Sequence, residues 1–219
     1  MKKKYFLPLA FAGVVLGTTS APVSSNELLN GFYFGGEFGS ASVENRAQEI
    51  ADEIVRRTGG TAVVSQTVRN GYGRIFGGVE LNENIGVEVG YTQTRKFGLR
   101  ATGLIDSTAY RFSGDVDVSG FDYSVILRPS VDSGFNDFFL RLGGHYLKTS
   151  GSGSASAAGI SVSGSIPDES GSGLQFGVGY DWTFHENFDA RVSVTRLNKV
   201  SGFSGNSATL VAVGILARF

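Results

Sequence analysis

From about residue 31 to its last residue, this chain keeps switching between apolar side chains and small or polar ones, every second position. Such an alternation builds strands with two unlike faces and is incompatible with a helical core. A first strand, Gly31 to Ala41, sets Phe32, Phe34 and Phe38 against Tyr33, Gly35, Glu37 and Gly39. A second and third flank the tight turn Asn82-Glu83-Asn84, with Ile75, Val79 and Leu81, then Ile85, Val87, Val89 and Tyr91, on the apolar side. A fourth, Tyr110 to Arg128, ends at Pro129, which cannot donate to a ladder. The fifth (Phe135 to Lys148), sixth (Gly173 to Thr183), seventh (from Phe188) and eighth (Ala208 to Phe219) follow the same rule. Eight strands make the smallest closed barrel that crosses a membrane.

The connections point the same way. Those after the second, fourth and sixth strands are short, and those after the first, third and fifth run to about a dozen residues or more. Short periplasmic turns and long external loops have that asymmetry, which a soluble barrel has no reason to keep. Beyond the N-terminus no apolar run reaches the roughly 18 residues of a spanning helix. The expected fold is therefore all-β: an eight-stranded antiparallel up-and-down transmembrane β-barrel, apolar faces to lipid. The first residues read as an export address: Lys2, Lys3 and Lys4, an apolar stretch from Tyr5 to Leu16, then small polar residues to Ser25. The expected division is a signal peptide over 1–25, cut near Ser25, and a barrel domain over 26–219.

Composition removes several function classes. A formal net charge of −1 offers no basic field for nucleic acid. With no cysteine and two separated histidines, His145 and His185, no metal-ligand spacing is present, and no cofactor motif is either. Catalysis by nucleophile and base has no recognisable parts, so no catalytic residue is assigned.

If the apolar faces meet lipid, the opposite faces enclose charges of both signs: Glu37, Glu80, Glu88, Asp122, Asp181 and Asp189 with Arg74, Arg141 and Arg191. Buried charges persist only when paired, so these are expected to form an interior network, with Glu88 and Arg141 central. Scattered charges in wet end vestibules are the alternative. The inward glycines are expected to make room for longer side chains. Tyr180, Trp182, Phe184, Phe188 and Phe219 fall at the periplasmic strand ends, where an aromatic girdle belongs. Glu44 to Arg57 has helical spacing, with acids preceding Arg56 and Arg57 and Gly59-Gly60 as a stop. Ser150 to Ser172, rich in serine and glycine, reads as a flexible loop.

These residues resemble a family, the OmpA-like eight-stranded outer-membrane barrels (small "porin family" proteins), over roughly 30 to 219. The likeness rests on Gly31-Phe32-Tyr33-Phe34-Gly35-Gly36, on Val79 through Tyr91, on Leu140-Arg141-Leu142-Gly143-Gly144, and on Ala217-Arg218-Phe219. It implies that Glu88 and Arg141 join an interior charge network. It also implies that Val211, Val213, Ile215, Ala217 and Phe219 form the terminal signal read by the outer-membrane assembly machinery. Ser193 stands where the best-known members carry an interior glutamate, and no interior lysine is found near Val125, so no gating mechanism is carried over. The implied location is the outer membrane of a Gram-negative bacterium, in contact with lipid and lipopolysaccharide. Two functions follow as expectations: a structural barrel or narrow low-conductance ion pore, and alternatively an adhesin or surface antigen. The second would take an external ligand on loops 43–65 and 150–172.

Overall fold

A computed structural model describes residues 31–129, 137–200 and 207–219. The expected signal peptide and its cleavage point, like Phe135 at the expected start of the fifth strand, lie outside the described residues. The elements are β1 (Phe32–Val43), α1 (Ala47–Thr58), β2 (Thr61–Gln66), β3 (Arg69–Asn82), β4 (Ile85–Thr94) and β5 (Phe97–Ile105). They continue with β6 (Thr108–Leu127), β7 (Phe138–Ala157), β8 (Ile160–His185), β9 (Phe188–Asn198) and β10 (Ser207–Arg218).

Eight of the strands close a ring in the order β6-β4-β3-β1-β10-β9-β8-β7, all antiparallel, and the β6–β7 pairing completes it. Closure removes every sheet edge at membrane depth, where an unpaired N–H or C=O has no water to turn to. The seam joins the first and last strands: β1 pairs β10 from Tyr33↔Arg218 to Val43↔Ala208, and the Phe219 amide donates to the Phe32 carbonyl at 3.0 Å. Side chains obey the alternation. Phe34, Phe38, Ile75, Phe121, Leu174 and Trp182 stand exposed on the outside, whereas Tyr33, Phe76, Ile126, Phe139 and Leu216 are buried within. Rings gather at the short-turn end, with Phe34 stacked on Phe219 at 5.1 Å and Phe138 edge-on to Tyr180 at 4.9 Å. No helix among the described residues is long and apolar enough to cross a membrane, and the strands do the crossing.

At the other end the strands do not stop at the barrel rim. The reading of 150–172 as a flexible loop is corrected: β7 continues to Ala157, reverses at Ala158-Gly159, and β8 returns from Ile160. Gly, Ser and Ala side chains are small, but their backbones pair throughout, from Gly151↔Ile166 to Ala157↔Ile160. The upper half of β6 pairs this hairpin on one side and β5 on the other, and β5 pairs β2. The result is a five-stranded sheet, β2-β5-β6-β7-β8, growing out of one wall of the barrel. Both two-residue turns of this sheet, Asp106-Ser107 and Ala158-Gly159, have φ positive throughout. That is the I′ geometry, whose twist matches the strands it joins. A bulge interrupts the β7–β8 ladder between Thr149 and Gly151, where Ser150 faces Pro167 and Asp168. Helix α1, ended by Gly59 in the left-handed conformation, packs beside β2.

Candidate functional site

The barrel interior is built from inward positions on all eight of its strands. Glu37 (β1), Arg74 (β3), Glu88 (β4), Asp122 (β6), Arg141 (β7) and Arg191 (β9) are buried together at mid-height. Arg74 reaches Glu37 at 3.1 Å, Glu88 at 3.3 Å and Asp122 at 2.7 Å. Arg141 meets Glu37 at 3.1 Å and Glu88 at 3.3 Å. Arg191 meets Glu88 at 2.5 Å and Asp181, on β8, at 2.6 Å. Neutral donors fill the remaining acceptor sites: Tyr33 to Glu88 at 3.2 Å, Ser193 to Glu37 at 3.1 Å and Thr92 to Asp122 at 3.3 Å. The Arg191 guanidinium also lies 4.5 Å from the Phe139 ring centre and 4.9 Å from that of Phe76.

Glu80, one of the two remaining sequence-assigned members with Asp189, sits lower. It pairs with Arg218 and with Arg128, the latter at 3.3 Å. Arg128 also meets Asp181 at 3.0 Å, and Arg218 meets Asp189 at 2.5 Å. Arg128 and Arg218 are the two members that the sequence does not single out. Arg128 stands at a strand end before Pro129, and Arg218 falls within the terminal motif, although alternation with Ala217 and Phe219 turns it inward. Asp181 and Arg191 therefore connect a central and a lower group of ions. Of the terminal residues, Val211, Val213, Ile215 and Phe219 are exposed on the lipid side of β10 and beyond it, and Ala217 shares their face.

Apolar layers bracket the ions. Toward the external end lie Ala41, Tyr72, Leu147, Leu197 and Leu210, with Val43, Phe97 and Val118 packed against them. Tyr33, Phe76 and Leu216 separate the central ions from the lower ones. A void of about 10 Å³ remains between the upper layer and Arg74, Asp122 and Arg141. That is room for one water at most. Inward glycines let these large side chains fit: a Cβ at Gly78 would overlap the Tyr33 ring, at Gly179 the Phe139 ring, and at Gly90 the Arg74 guanidinium. Histidine 145 is inward and buried, with Nε2 3.1 Å from the Asn198 carbonyl, while His185 lies at the short-turn end of β8. Among the described residues no group of three or more potential ligands gathers to hold a metal.

Above the ions, an apolar vestibule of about 290 Å³ opens between α1 and the barrel rim, walled by Val43, Ile50, Phe97, Leu99, Val116 and Val118. At its edge Glu44 is tied down, accepting from Ser207 at 2.6 Å and Arg196 at 2.9 Å. These bonds hold the Glu44 carboxyl below its ordinary range.

A profile described as the outer membrane protein β-barrel domain matches residues 10–219. No curated protein matches the chain. Among solved structures, Neisserial surface protein A is similar at 16% identity and a TM-score of 0.41, covering 87% of this chain and 98% of that one. The attachment invasion locus protein Ail of Yersinia pestis is similar at 17% identity and a TM-score of 0.45, over 87% of this chain and 99% of that one. Ail in complex with the heparin analogue sucrose octasulfate matches at 18% and 0.43, over 86% and 99%.

Proposed function

The chain belongs to the outer membrane protein β-barrel domain family and resides in the outer membrane of a Gram-negative bacterium, and we propose that there it is a closed barrel holding a binding surface outward. One observation carries this reading. A strand needs about 9–11 residues to cross a bilayer, yet β7 has 20 and β8 has 26. The excess forms an ordered external sheet, and its exposed apolar side chains include Val63, Leu104, Ile160 and Val162.

The filled interior supports closure. Paired ions of nearly balanced charge stand where water would have to pass, and apolar layers lie on either side of the central group. Opening a path would strip arginines from carboxylates in a low-dielectric interior, at several kcal/mol per broken pair. The sheet supports the adhesive reading over a pore, because a pore has no need of strands beyond the rim. The experiment has two arms. Planar-bilayer recordings of the folded protein are expected to be silent. Cells displaying the full chain are expected to bind host cells or matrix, and to lose that binding when residues 151–166 are replaced by a short turn. Steady openings would return the barrel to a low-conductance pore, and undiminished binding without the hairpin would remove the sheet from the function.

A further inference from the structure

The external sheet has a free edge. Below Gln175, β8 pairs with β9, but Ile160 to Leu174 carries no partner on that side among the described residues. Free edges are templates for another strand, and proteins usually blunt them with Lys, Pro or an inward charge. Here Pro167, Asp168 and Glu169 stand near the bulge, while the segment beyond, Ile160-Ser161-Val162-Ser163-Gly164-Ser165-Ile166, has neither charge nor proline. Ile160 and Val162 are 70% and 66% exposed.

That segment reads nearly the same in both directions from Ser163. Laid antiparallel on its own copy with a two-fold axis at Ser163, Ile160 falls opposite Ile166 and Ser161 opposite Ser165. Val162 meets Gly164, a large side chain against an empty position, and the added Cβ space at Gly164 is open. The even-numbered residues share one face and the serines the other, so like meets like across the whole pairing. The acids do not collide, because each β8 strand ends at the Ala158-Gly159 turn, so Asp168 and Glu169 fall beyond the tip of the opposing strand. The other free edge, Thr61 to Gln66 on β2, has no such symmetry and has α1 beside it.

We propose that this edge pairs with the same edge of a second copy on a facing cell. The two-fold axis of an antiparallel pairing runs across the strands, so it turns the second barrel end over end. Copies in one membrane are excluded by that geometry, and copies in apposed membranes fit it. The inference rests on the reading of the sheet as an external binding surface and names its partner.

The test uses two differently labelled populations of cells displaying the full chain. Wild-type cells are expected to form mixed clumps. Ser163 would lie directly opposite itself, so Ser163→Lys and Ser163→Glu each place like charges across the pair. Each population alone is expected to clump at least about tenfold less, since many weak pairings act together between two surfaces. Lys cells mixed with Glu cells are expected to clump again. Heat-dependent migration on gels verifies that both exposed-site variants fold. Absence of clumping by wild-type cells, undiminished clumping by the single variants, or no recovery in the mixture overturns the proposal. Host or matrix binding is measured on the same cells, and its persistence in non-clumping wild type would overturn self-pairing while leaving the adhesive surface standing.

Discussion

Exchanging Arg191 for Met keeps an unbranched side chain between the Phe76 and Phe139 rings while deleting the charge that joins the central and lower ions. The side chain is fully buried, with Glu88 at 2.5 Å and Asp181 at 2.6 Å. Removing one partner of a buried pair typically costs about 3–5 kcal/mol, chiefly because the abandoned charge stays in a low dielectric. Neither acid is wholly abandoned here. Glu88 keeps Arg74 and Arg141, both at 3.3 Å, and Asp181 keeps Arg128 at 3.0 Å. The expected loss is therefore at the lower end, about 3 kcal/mol, or roughly a hundredfold in the folding equilibrium. The single tryptophan, Trp182, faces lipid and reports unfolding by fluorescence when urea releases the chain from vesicles. Lys148→Met is the control, since its 2.6 Å pair with Asp168 is half exposed and solvent already screens it. A shift for Arg191→Met of less than about 0.5 kcal/mol, or one equalled by the control, would refute the claim that buried pairing holds the barrel together.

The rim, the barrel wall and the external sheet each carry a further prediction. Glu44's lowered pKa means that its anchoring bonds stabilise the α1 loop above the ordinary carboxylate value of 4.5 and are lost as pH falls through the lowered one. Amide shifts of Val43 to Asn45 should show that transition, Glu44→Gln should abolish it, and a midpoint at or above 4.5 would count against the contact. Gly143→Ala should lose more than about 2 kcal/mol or fail to insert, because its Cβ would run into the Tyr123 carbonyl and lie 2.7 Å from Ser124 Cα. Gly164→Ala, with nothing within 4 Å, should match wild type in the same urea titration.

The barrel was legible because lipid on one side and packed charge on the other demand opposite chemistries at adjacent positions. Phe38 beside Glu37, or Leu140 beside Arg141, cannot be arranged any other way in a strand. The external sheet obeys the same period, but water bathes it, so apolar contrast fades. In Gly151-Ser152-Gly153-Ser154-Ala155-Ser156-Ala157 the alternation survives only as glycine or alanine against serine, which resembles a linker. What decides its structure is the partner strand, and pairing is not written in one segment alone. β2 and β5 are hard to read from sequence for the same reason. Within the site, every inward charge in a strand's middle could be read from the alternation. Arg128 and Arg218 could not be singled out without register, because a cation at a strand end is equally well placed in water.

The bulge opposite Ser150 sets the phase of everything above it. Below the bulge the even-numbered residues of β8, such as Leu174, Phe176 and Val178, look out at hydrocarbon; above it the even-numbered Ile160, Val162 and Ile166 lie on the face continuous with the barrel's inside. The apolar stripe thus keeps its parity along the sequence but swaps sides where the bilayer gives way to water. One additional residue does this, since β8 spends two where β7 spends one. Deleting either Pro167 or Asp168 would close the bulge with Ile160, Val162 and Ile166 still on the inner face, whereas straightening the strand with both residues kept would turn those side chains outward.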